Sequence, residues 1–439
     1  MPRQTHKKIK IFLLVASVGL FVYLVFSLRE KFLEEAPLPE EQIVVGPGTY
    51  YVDATEDFRG LGYSGQRKVA VDSNGSIFAA YRKKWEGNYE IFVSKITATS
   101  RGKTNISGNE MPISAVRQGT DQRVPSIAVD GNGVIHVVWY GSDNQQEENN
   151  RQVKYSKSSD GGKTWSTWKN ISYVEGYSSG EELWQEHPVI AFGSDGNLYA
   201  VWEGKDSEHD RQQIKFSKSL DGGETWSNWK NVGPTPGNTQ SRPVILVDSS
   251  GRLHLLMYSS MGDANQHVHH AFSDNQGENW SNWQQISAPG RDSRHISAAV
   301  GAEGRIHSSW RDINENGLAE ISYSVLDDGR WTQPEKVAES SDNQFFPSLS
   351  IDENNQPLAI WMETSEASEL PRENPESGRI KYAVRTEDGF SQPQIVGTGD
   401  VNLYPNFSEQ QFETNTIPIV YLSANEGGKF AVVVEVIEL

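Results

Sequence analysis

Residues 158–165 of this 439-residue chain read Ser-Ser-Asp-Gly-Gly-Lys-Thr-Trp, and residues 219–226 repeat the stretch as Ser-Leu-Asp-Gly-Gly-Glu-Thr-Trp. A weaker third copy, Ser-Asp-Asn-Gln-Gly-Glu-Asn-Trp, occupies residues 273–280. Each copy is followed shortly by a second tryptophan, at Trp168, Trp229 and Trp283. A period of this length indicates one supersecondary unit that is copied around an axis or along a stack.

A second signature lies between these copies and completes the repeat. Its clearest version runs from Pro125 to Trp139, as two apolar runs that flank the sequence Asp-Gly-Asn-Gly at residues 130–133. Because Gly and Asn accept the positive φ of tight hairpins, this pattern predicts two antiparallel strands. Related versions begin near residues 68, 188, 243, 296, 347 and 405. A third strand and a fourth strand are predicted to follow in each unit.

Four antiparallel strands, repeated seven times, predict an all-β fold, a seven-bladed β-propeller. Six blades is the alternative, if the last copy is only a cap. The last unit offers three strands, over residues 406–413, 416–422 and 429–437. We predict that the strand-like run 43–54 supplies the outer strand of this last blade and closes the ring without an open edge.

The first 48 residues differ from the repeat region. Residues 9–28 are mostly apolar, carry no charge apart from Lys10 and are long enough to cross a bilayer as a helix. Basic residues precede them, so the positive-inside rule predicts a cytoplasmic stub over residues 1–8 and an extracytoplasmic remainder. A cleaved signal peptide is the alternative. The predicted organisation is this stub, a transmembrane helix over 9–28, a linker over 29–48 and the propeller over 49–439.

Composition narrows the possible partners. The chain has no Cys, which excludes disulfides and thiolate chemistry. Its net charge is −18, and residues 1–31 hold six basic residues against one acidic residue, so the remainder is more acidic still. Such a domain is a poor non-specific binder of nucleic acid. The predicted partners are a glycan or a cell-surface protein, together with the membrane, and no cofactor is predicted.

Propeller geometry gathers polar residues at one opening. The loops that lead into the first strand of each blade and the loops that leave the second strand face the same side of the ring. Convergent polar groups in such a concavity form a candidate binding site. The positions leading into first strands include Arg67, Arg123, Glu186, His187, Arg242, Arg294, His295 and Tyr404, and those leaving second strands include Arg82, Asp143, Glu203, Arg311 and Asp312.

The pattern Ser-x-Asp-x-Gly-x-Thr-Trp resembles the Asp-box, or BNR repeat, of sialidases (neuraminidases) and related propellers. The resemblance covers nearly all of residues 65–439. It implies that the boxes are structural and lie on the turn between the third and fourth strands, away from an active site. Within the turn, an Asp would accept backbone N–H groups, the second Gly would supply an unusual φ, and the Trp would pack at the blade edge. These structural positions are Asp160, Gly162, Trp165, Asp221, Gly223 and Trp226.

The stretch Gln122-Arg123-Val124-Pro125 is similar to the Arg-Ile-Pro motif of sialidases. The resemblance implies that Arg123 grips a substrate carboxylate, in a triad that Arg242 and Arg294 would complete. It also implies that Tyr404 is a nucleophile polarised by Glu186, with Asp143 as the acid. His187 and His295 are further candidates for substrate binding.

The chain departs from the sialidase pattern in three ways: the motif lies in the second unit, no Glu precedes an Arg at the family's spacing before the later strands, and the units number seven rather than six. Gln also replaces the usual aromatic residue of the motif. We therefore predict a propeller that recognises glycan or protein ligands without the complete sialidase machinery. A sialidase-type exo-glycosidase is one alternative. The other is a polysaccharide lyase that acts on acidic sugars with His187, His295, Tyr404 and Arg242.

No metal site is predicted from the histidines. His136, His254 and His307 occupy the same position of the second strand in three units, which favours a structural role. His267 and His269 alternate along one third strand and are interpreted as a solvated edge.

Overall fold

Seven antiparallel sheets make up the described part of the chain. The computed structural model describes residues 47–63, 65–96, 111–114, 120–142, 151–173, 182–366, 378–397, 401–408, 416–424 and 429–439. Within these ranges the only helical element is the short 3-10 turn Ala302–Gly304. The all-β prediction is therefore confirmed.

The first half of the chain contributes strand β1 and blades 1 to 3. Strand β1 spans Gly48–Thr55. Blade 1 contains β2 (Val69–Val71), β3 (Ile77–Trp85) and β4 (Asn88–Ile96). Blade 2 contains β5 (Gln122–Val129), β6 (Ile135–Gly141), β7 (Gln152–Ser158) and β8 (Lys169–Asn170). Blade 3 contains β9 (Gln185–Phe192), β10 (Leu198–Gly204), β11 (Gln213–Ser219) and β12 (Lys230–Asn231).

The second half contributes blades 4 to 7. Blade 4 contains β13 (Ser241–Val247), β14 (Leu253–Ser259), β15 (His267–Ser273) and β16 (Gln284–Gln285). Blade 5 contains β17 (Asp292–Val300), β18 (Ile306–Ile313), β19 (Ala319–Asp327), β20 (Arg330–Trp331) and β21 (Glu335–Lys336). Blade 6 contains β22 (Asn343–Ile351), β23 (Pro357–Thr364), β24 (Arg379–Thr386), β25 (Gly389–Phe390) and β26 (Gln394–Val396). Blade 7 contains β27 (Asn402–Phe407), β28 (Thr416–Ala424) and β29 (Phe430–Glu438).

The N-terminal strand closes the ring. β1 runs antiparallel to β29, and the sheet order of blade 7 is β1-β29-β28-β27. Tyr50 of β1 and Val434 of β29 share one buried cluster with Tyr81 and Phe92 of blade 1. The last blade is thus completed by the start of the propeller, as predicted, and seven blades is correct rather than six.

The repeated turns form hairpins for the predicted reason. In blade 2 the Asp130 carboxylate accepts the backbone N–H groups of Asn132 and Val134, each at 2.9 Å. Gly133 takes a φ of +78° and donates its N–H to the Asp130 carbonyl. An aspartate makes the same contacts at the corresponding turns of three other blades, at residues 72, 248 and 352.

The Asp-boxes also have their predicted geometry. The Asp160 carboxylate accepts the Thr164 N–H at 2.9 Å and hydrogen bonds from the Ser158 and Thr164 hydroxyls. Asp221 makes the same set of contacts one blade later. Gly162 and Gly223 take φ values of +86° and +87°. A Cβ at Gly223 would collide with the hydroxyl of Tyr155, which belongs to the preceding blade.

Tryptophans pack in two different ways. Trp139, Trp202, Trp310 and Trp361, which lie near the ends of the second strands of blades 2, 3, 5 and 6, are fully buried. The box residues Trp165 and Trp226 are only partly buried and pack against the cores between neighbouring blades. Trp226, for example, meets the Tyr155 ring edge-on at 5.1 Å.

Several predictions concern segments that lie outside the described residues. These are the stub over residues 1–8, the transmembrane helix over 9–28, most of the linker over 29–48, and Asp143. The described residues include no helix with the length and apolar character needed to span a membrane.

Candidate functional site

A repeated backbone irregularity shapes one mouth of the propeller. The first strand of each of blades 2 to 7 contains a β-bulge against the second strand. At each bulge a residue other than glycine takes a φ between 44° and 57°. Such a conformation is costly for an L-residue, and bulges often redirect side chains beside functional sites. The six residues are Val124, His187, Arg242, His295, Phe346 and Tyr404.

Five of these side chains form what we call the central ring, which consists of His187, Arg242, His295, Phe346 and Tyr404. Their contacts pass from blade to blade: His295 stacks on Phe346 at 5.2 Å, and Phe346 contacts Tyr404 at 4.8 Å. The structure therefore brings together four residues that the sequence analysis had proposed for the site.

A residue that the sequence analysis missed stands at the middle of the central ring. The Tyr63 ring lies 5.6 Å from His187 and 5.7 Å from His295, measured between ring centroids. It also contacts Phe346, and the Arg242 guanidinium carbon lies 3.8 Å from its centroid. Tyr63 precedes blade 1 and belongs to no repeat, so no sequence pattern pointed to it.

Glu203, His187 and Tyr140 form a line of hydrogen-bonded side chains at the edge of the mouth. His187 Nδ1 lies 2.7 Å from the Glu203 carboxylate, and His187 Nε2 lies 3.5 Å from the Tyr140 hydroxyl. Because an ionised carboxylate only accepts hydrogen bonds, Nδ1 carries the proton of the neutral imidazole and Nε2 presents a lone pair to Tyr140. These side chains are therefore arranged for proton transfer at Nε2.

Burial and charge set the protonation of these three side chains. Burial and the Arg242 charge lower the pKa of His187, while Glu203 opposes them. Burial opposes the ionisation of Glu203, but His187 and Arg242 still hold its pKa below the ordinary value. Burial, with the charge of Glu186, raises the pKa of Tyr140 well above its usual range. At neutral pH the three groups are a carboxylate, a neutral imidazole and a neutral phenol.

The arginines predicted to form a triad surround the same mouth, but each has its own carboxylate. Arg242 Nε lies 3.7 Å from Glu203, Arg294 Nε lies 2.9 Å from Asp292, and Arg123 Nη2 lies 3.9 Å from Asp121. Arg242 and Arg294 both act on the pKa of Tyr258, which burial raises to about 12. Arg242 and Arg123 both act on the pKa of Tyr140. The three guanidinium groups thus share neighbours, although no single carboxylate joins them among the described residues.

The residues expected to perform sialidase chemistry are placed differently from the family pattern. Glu186, expected to polarise Tyr404, forms an ion pair with Arg151 and lies 3.7 Å from His187. Tyr404 packs its ring on Phe346, and burial raises its pKa well above the usual range. The predicted roles of both residues, and that of Asp143, stay predictions.

Arg67 does not join the other arginines at the mouth. Its guanidinium enters the centre of the ring, where Nη1 donates to the Leu349 carbonyl at 2.8 Å and contacts the Ser348 hydroxyl at 3.3 Å. Its Nη2 donates to the Ala298 carbonyl, and Nη1 lies 3.5 Å from the Phe407 carbonyl. Arg67 therefore joins blade 1 to blades 5, 6 and 7.

Three residues of the mouth are of the right type to bind a metal. Glu186, His187 and Glu203 place one ligand atom each within 4.8 Å of one another. However, Arg151 already pairs with Glu186, and Arg242 lies beside Glu203. A cation would compete with two guanidinium groups, so this arrangement favours proton chemistry or anion binding.

His136, His254 and His307, which share one position of the second strand, are buried as expected for structural residues. His136 bonds the Tyr155 hydroxyl at 2.9 Å, and His254 bonds His270 at 3.0 Å. The interpretation of His267 and His269 as a solvated edge is wrong, because both side chains are buried. His269 pairs with Met257, whose face of the sheet packs against blade 3, and a single-strand pattern does not reveal this packing.

Taken together, the fold and the mouth define a sialidase-like β-propeller. The chain belongs to the BNR repeat-like domain family, whose sequence model matches residues 78–306. No curated protein matches the chain in sequence.

Solved structures with the same fold include both lyases and sialidases. A polysaccharide lyase described as an ulvan lyase aligns with a TM-score of 0.62 and 11% identity, over 89% of this chain and 95% of its own. A mutant of the NanB sialidase from Streptococcus pneumoniae aligns with a TM-score of 0.50 and 11% identity, over 90% and 95%. A protein of unknown function from Dyadobacter fermentans aligns with a TM-score of 0.52 and 15% identity, over 74% and 96%. At these identities the likeness establishes the fold alone.

Proposed function

We propose that the propeller binds an acidic glycan at its mouth. We also propose that residues 9–28 form a transmembrane helix that anchors the propeller on the extracytoplasmic side of the membrane. The observation that carries the glycan proposal is the concentration of arginine around one opening of an otherwise acidic chain. Burial raises the pKa of Tyr140, and the charges of Arg123, Arg151 and Arg242 all act to lower it. Those of Arg242 and Arg294 act on the pKa of Tyr258 in the same way. The anchor rests on the apolar run and the basic residues before it.

Unused hydrogen-bond donors support the same conclusion. Among the described residues, Arg242 Nη1 and Arg123 Nε are buried and make no hydrogen bond. A buried donor without an acceptor is costly, and a carboxylate or sulfate oxygen would satisfy it with a charge-assisted hydrogen bond. Tyrosine rings beside these arginines offer apolar surface to a sugar.

Replacing Arg242 by Ala is expected to weaken binding of an acidic polysaccharide such as polygalacturonate by about 10- to 100-fold. The reason is the loss of a charge-assisted contact, which contributes about 1.5–3 kcal/mol. Isothermal titration calorimetry with polygalacturonate, heparin and neutral dextran measures the effect.

Arg252→Ala is the matched control, because Arg252 pairs with Asp274 at the surface, at the opposite end of its strand from the mouth. It should bind like the wild type. Equal affinity of the wild type for dextran and for the acidic polymers, or no effect of Arg242→Ala, would contradict the proposal.

The second candidate function is a polysaccharide lyase, which the chain Glu203–His187–Tyr140 specifically favours. In β-elimination, His187 Nε2 would take the C5 proton of a uronate whose carboxylate Arg242 neutralises. The C4–O bond would then break, a C4–C5 double bond would form, and the Tyr140 hydroxyl would give its proton to the leaving oxygen. Glu203 would position the imidazole and stabilise its cation. This assignment replaces Tyr404 by Tyr140, since the Tyr140 hydroxyl lies 3.5 Å from His187 Nε2.

If the protein is a lyase, His187→Asn is expected to lower turnover by about 10²- to 10⁴-fold, as for the loss of a general base. The ultraviolet absorbance of the unsaturated uronate product measures the rate. His209→Asn is the control and should retain activity, because His209 pairs with Asp206 and lies 3.4 Å from Asn231 of the outer strand β12. Absence of this product with every uronate polymer would leave the binding function and remove the lyase.

A further inference from the structure

Tyr63 occupies the position through which a ligand would reach the site. Its ring covers the Arg242 guanidinium at 3.8 Å and meets the His187 ring edge-on. His187, His295 and Tyr404 are 5%, 8% and 4% exposed, although they line the mouth. A sugar ring therefore cannot contact His187 or the face of Arg242 while Tyr63 remains in place.

The segment that carries Tyr63 is held mostly by its own hydrogen bonds. Gly60 N–H donates to the Asp57 carbonyl at 2.9 Å, and Gly62 N–H donates to the Arg59 carbonyl at 3.0 Å. The Asp57 carboxylate accepts the Arg59 N–H and forms an ion pair with Arg82. Arg82 also donates its backbone N–H to the Gly60 carbonyl at 2.7 Å. The Asp57 N–H also donates to the Thr55 hydroxyl of β1 at 3.0 Å, so these bonds fasten the segment to blade 1 and to the strand that completes blade 7.

The contacts of the segment with the other blades are of a different kind. Tyr63 meets blades 3 to 6 through its ring, by aromatic and cation–π contacts. Gly62 lies against Val124 of blade 2, and its φ of +69° suits glycine. Leu61, by contrast, is 1% exposed and packs in the same core cluster as Tyr404, so it anchors the segment. The Tyr63 ring makes no hydrogen bond to the sheets in these contacts, so it can leave the mouth while the rest of the segment stays in place.

We propose that Tyr63 is a plug whose ring occupies the central subsite and is displaced when the ligand binds, while residues 57–61 stay anchored to the propeller. The nature of the ligand rests on the proposed function, whereas the plug itself does not. A sugar ring is flat enough to take the place of the phenol against Arg242. The plug would keep the His187–Tyr140 pair from water and from weak ligands until a ligand of sufficient affinity displaces it.

The access of a small reagent to His187 tests the plug without any glycan. Diethyl pyrocarbonate labels neutral imidazole, and peptide mass spectrometry measures the labelling rate of His187. Tyr63→Ala should raise this rate about tenfold or more, because a site that is open for a tenth of the time reacts at a tenth of its intrinsic rate. Tyr63→Phe keeps the ring and should label like the wild type.

His136, buried in blade 2 away from the mouth, is the internal control for folding and should label equally in every variant. If Tyr63→Ala also raises His136 labelling, the variant is not folded, and Asp57→Asn replaces it. This second variant weakens the ion pair with Arg82, so it should raise the labelling of His187 through a looser segment.

Measuring polygalacturonate binding in the same variants distinguishes failure of the plug proposal from failure of the acidic-glycan proposal. Faster His187 labelling together with tighter polygalacturonate binding in Tyr63→Ala supports both. Faster labelling with no acidic glycan bound by any variant supports the plug and overturns the glycan proposal. Unchanged His187 labelling in both Tyr63→Ala and Asp57→Asn, with His136 still protected, overturns the plug.

Discussion

Replacing Arg67 by Ala is expected to lower the free energy of unfolding by about 3–5 kcal/mol, more than most single substitutions. The Arg67 side chain is buried at the centre of the ring and donates to carbonyls of blades 5, 6 and 7. Its removal leaves these carbonyls without their donor, and each buried unsatisfied group costs about 1–3 kcal/mol. It also leaves a cavity where the seven blades meet.

The effect should be specific to the centre of the ring. Arg305→Ala is the matched control, because Arg305 pairs with Asp327 at the surface, where an ion pair contributes about 0–1 kcal/mol. Urea denaturation followed by tryptophan fluorescence measures both variants, and Arg67→Lys should fall between them. If Arg67→Ala unfolds at the same urea concentration as Arg305→Ala, the blades are held together without this residue.

The repeat made the fold predictable, for identifiable reasons. The turn at Asp130 and the box at Asp160 each depend on hydrogen bonds within a few residues, so their sequence determines their structure locally. Their spacing then fixes the number of blades. Even the closing strand β1 was predictable, because blade 7 lacked an outer strand and the ring has only one place for it.

The site was predictable only in part, because it depends on contacts between distant segments. His187, Arg242, His295 and Tyr404 share one position of the repeat, and the structure brings them together. Tyr63 lies outside the repeat, so its place at the centre could not be read from spacing. Arg67 occupies the same repeat position as the mouth residues. Its backbone does not take the positive φ found at the bulges of blades 2 to 7, and its side chain points into the interior of the propeller instead.

The tyrosine beside His187 differs from the one that the resemblance indicated. Tyr404 was chosen by resemblance to sialidases, from its place in the order of the blades. Tyr140 ends a second strand next to the bulge of blade 3, and only the packing of blade 2 on blade 3 brings it to His187. Glu203 reaches His187 because the two strands of blade 3 pair across the bulge.

Acidification from pH 8 to pH 5 is expected to lower the free energy of unfolding by about 6 kcal/mol or more. Burial lowers the pKa of His269 to about 4, of His270 to about 3 and of His307 to about 4. The ordinary pKa of histidine in the unfolded chain is about 6.5. Below that pH the unfolded state therefore binds protons that the folded state does not bind. At pH 5 each such residue costs about 2 kcal/mol, and His187, His254 and His295, whose pKa values are also lowered, add to the loss.

The pH window separates histidines from carboxylates. Aspartates whose pKa is held low by hydrogen bonds, such as Asp160 at about 2, lose their contribution only below about pH 4. Urea denaturation at pH 8, 7, 6 and 5 gives the slope of stability against pH. His269→Gln removes one titrating group and should flatten that slope by at most about 1.4 kcal/mol per pH unit. If the free energy of unfolding of the wild type does not change between pH 8 and pH 5, the prediction is wrong. The buried imidazoles would then be protonated in the folded state, stabilised by water or by a negative charge.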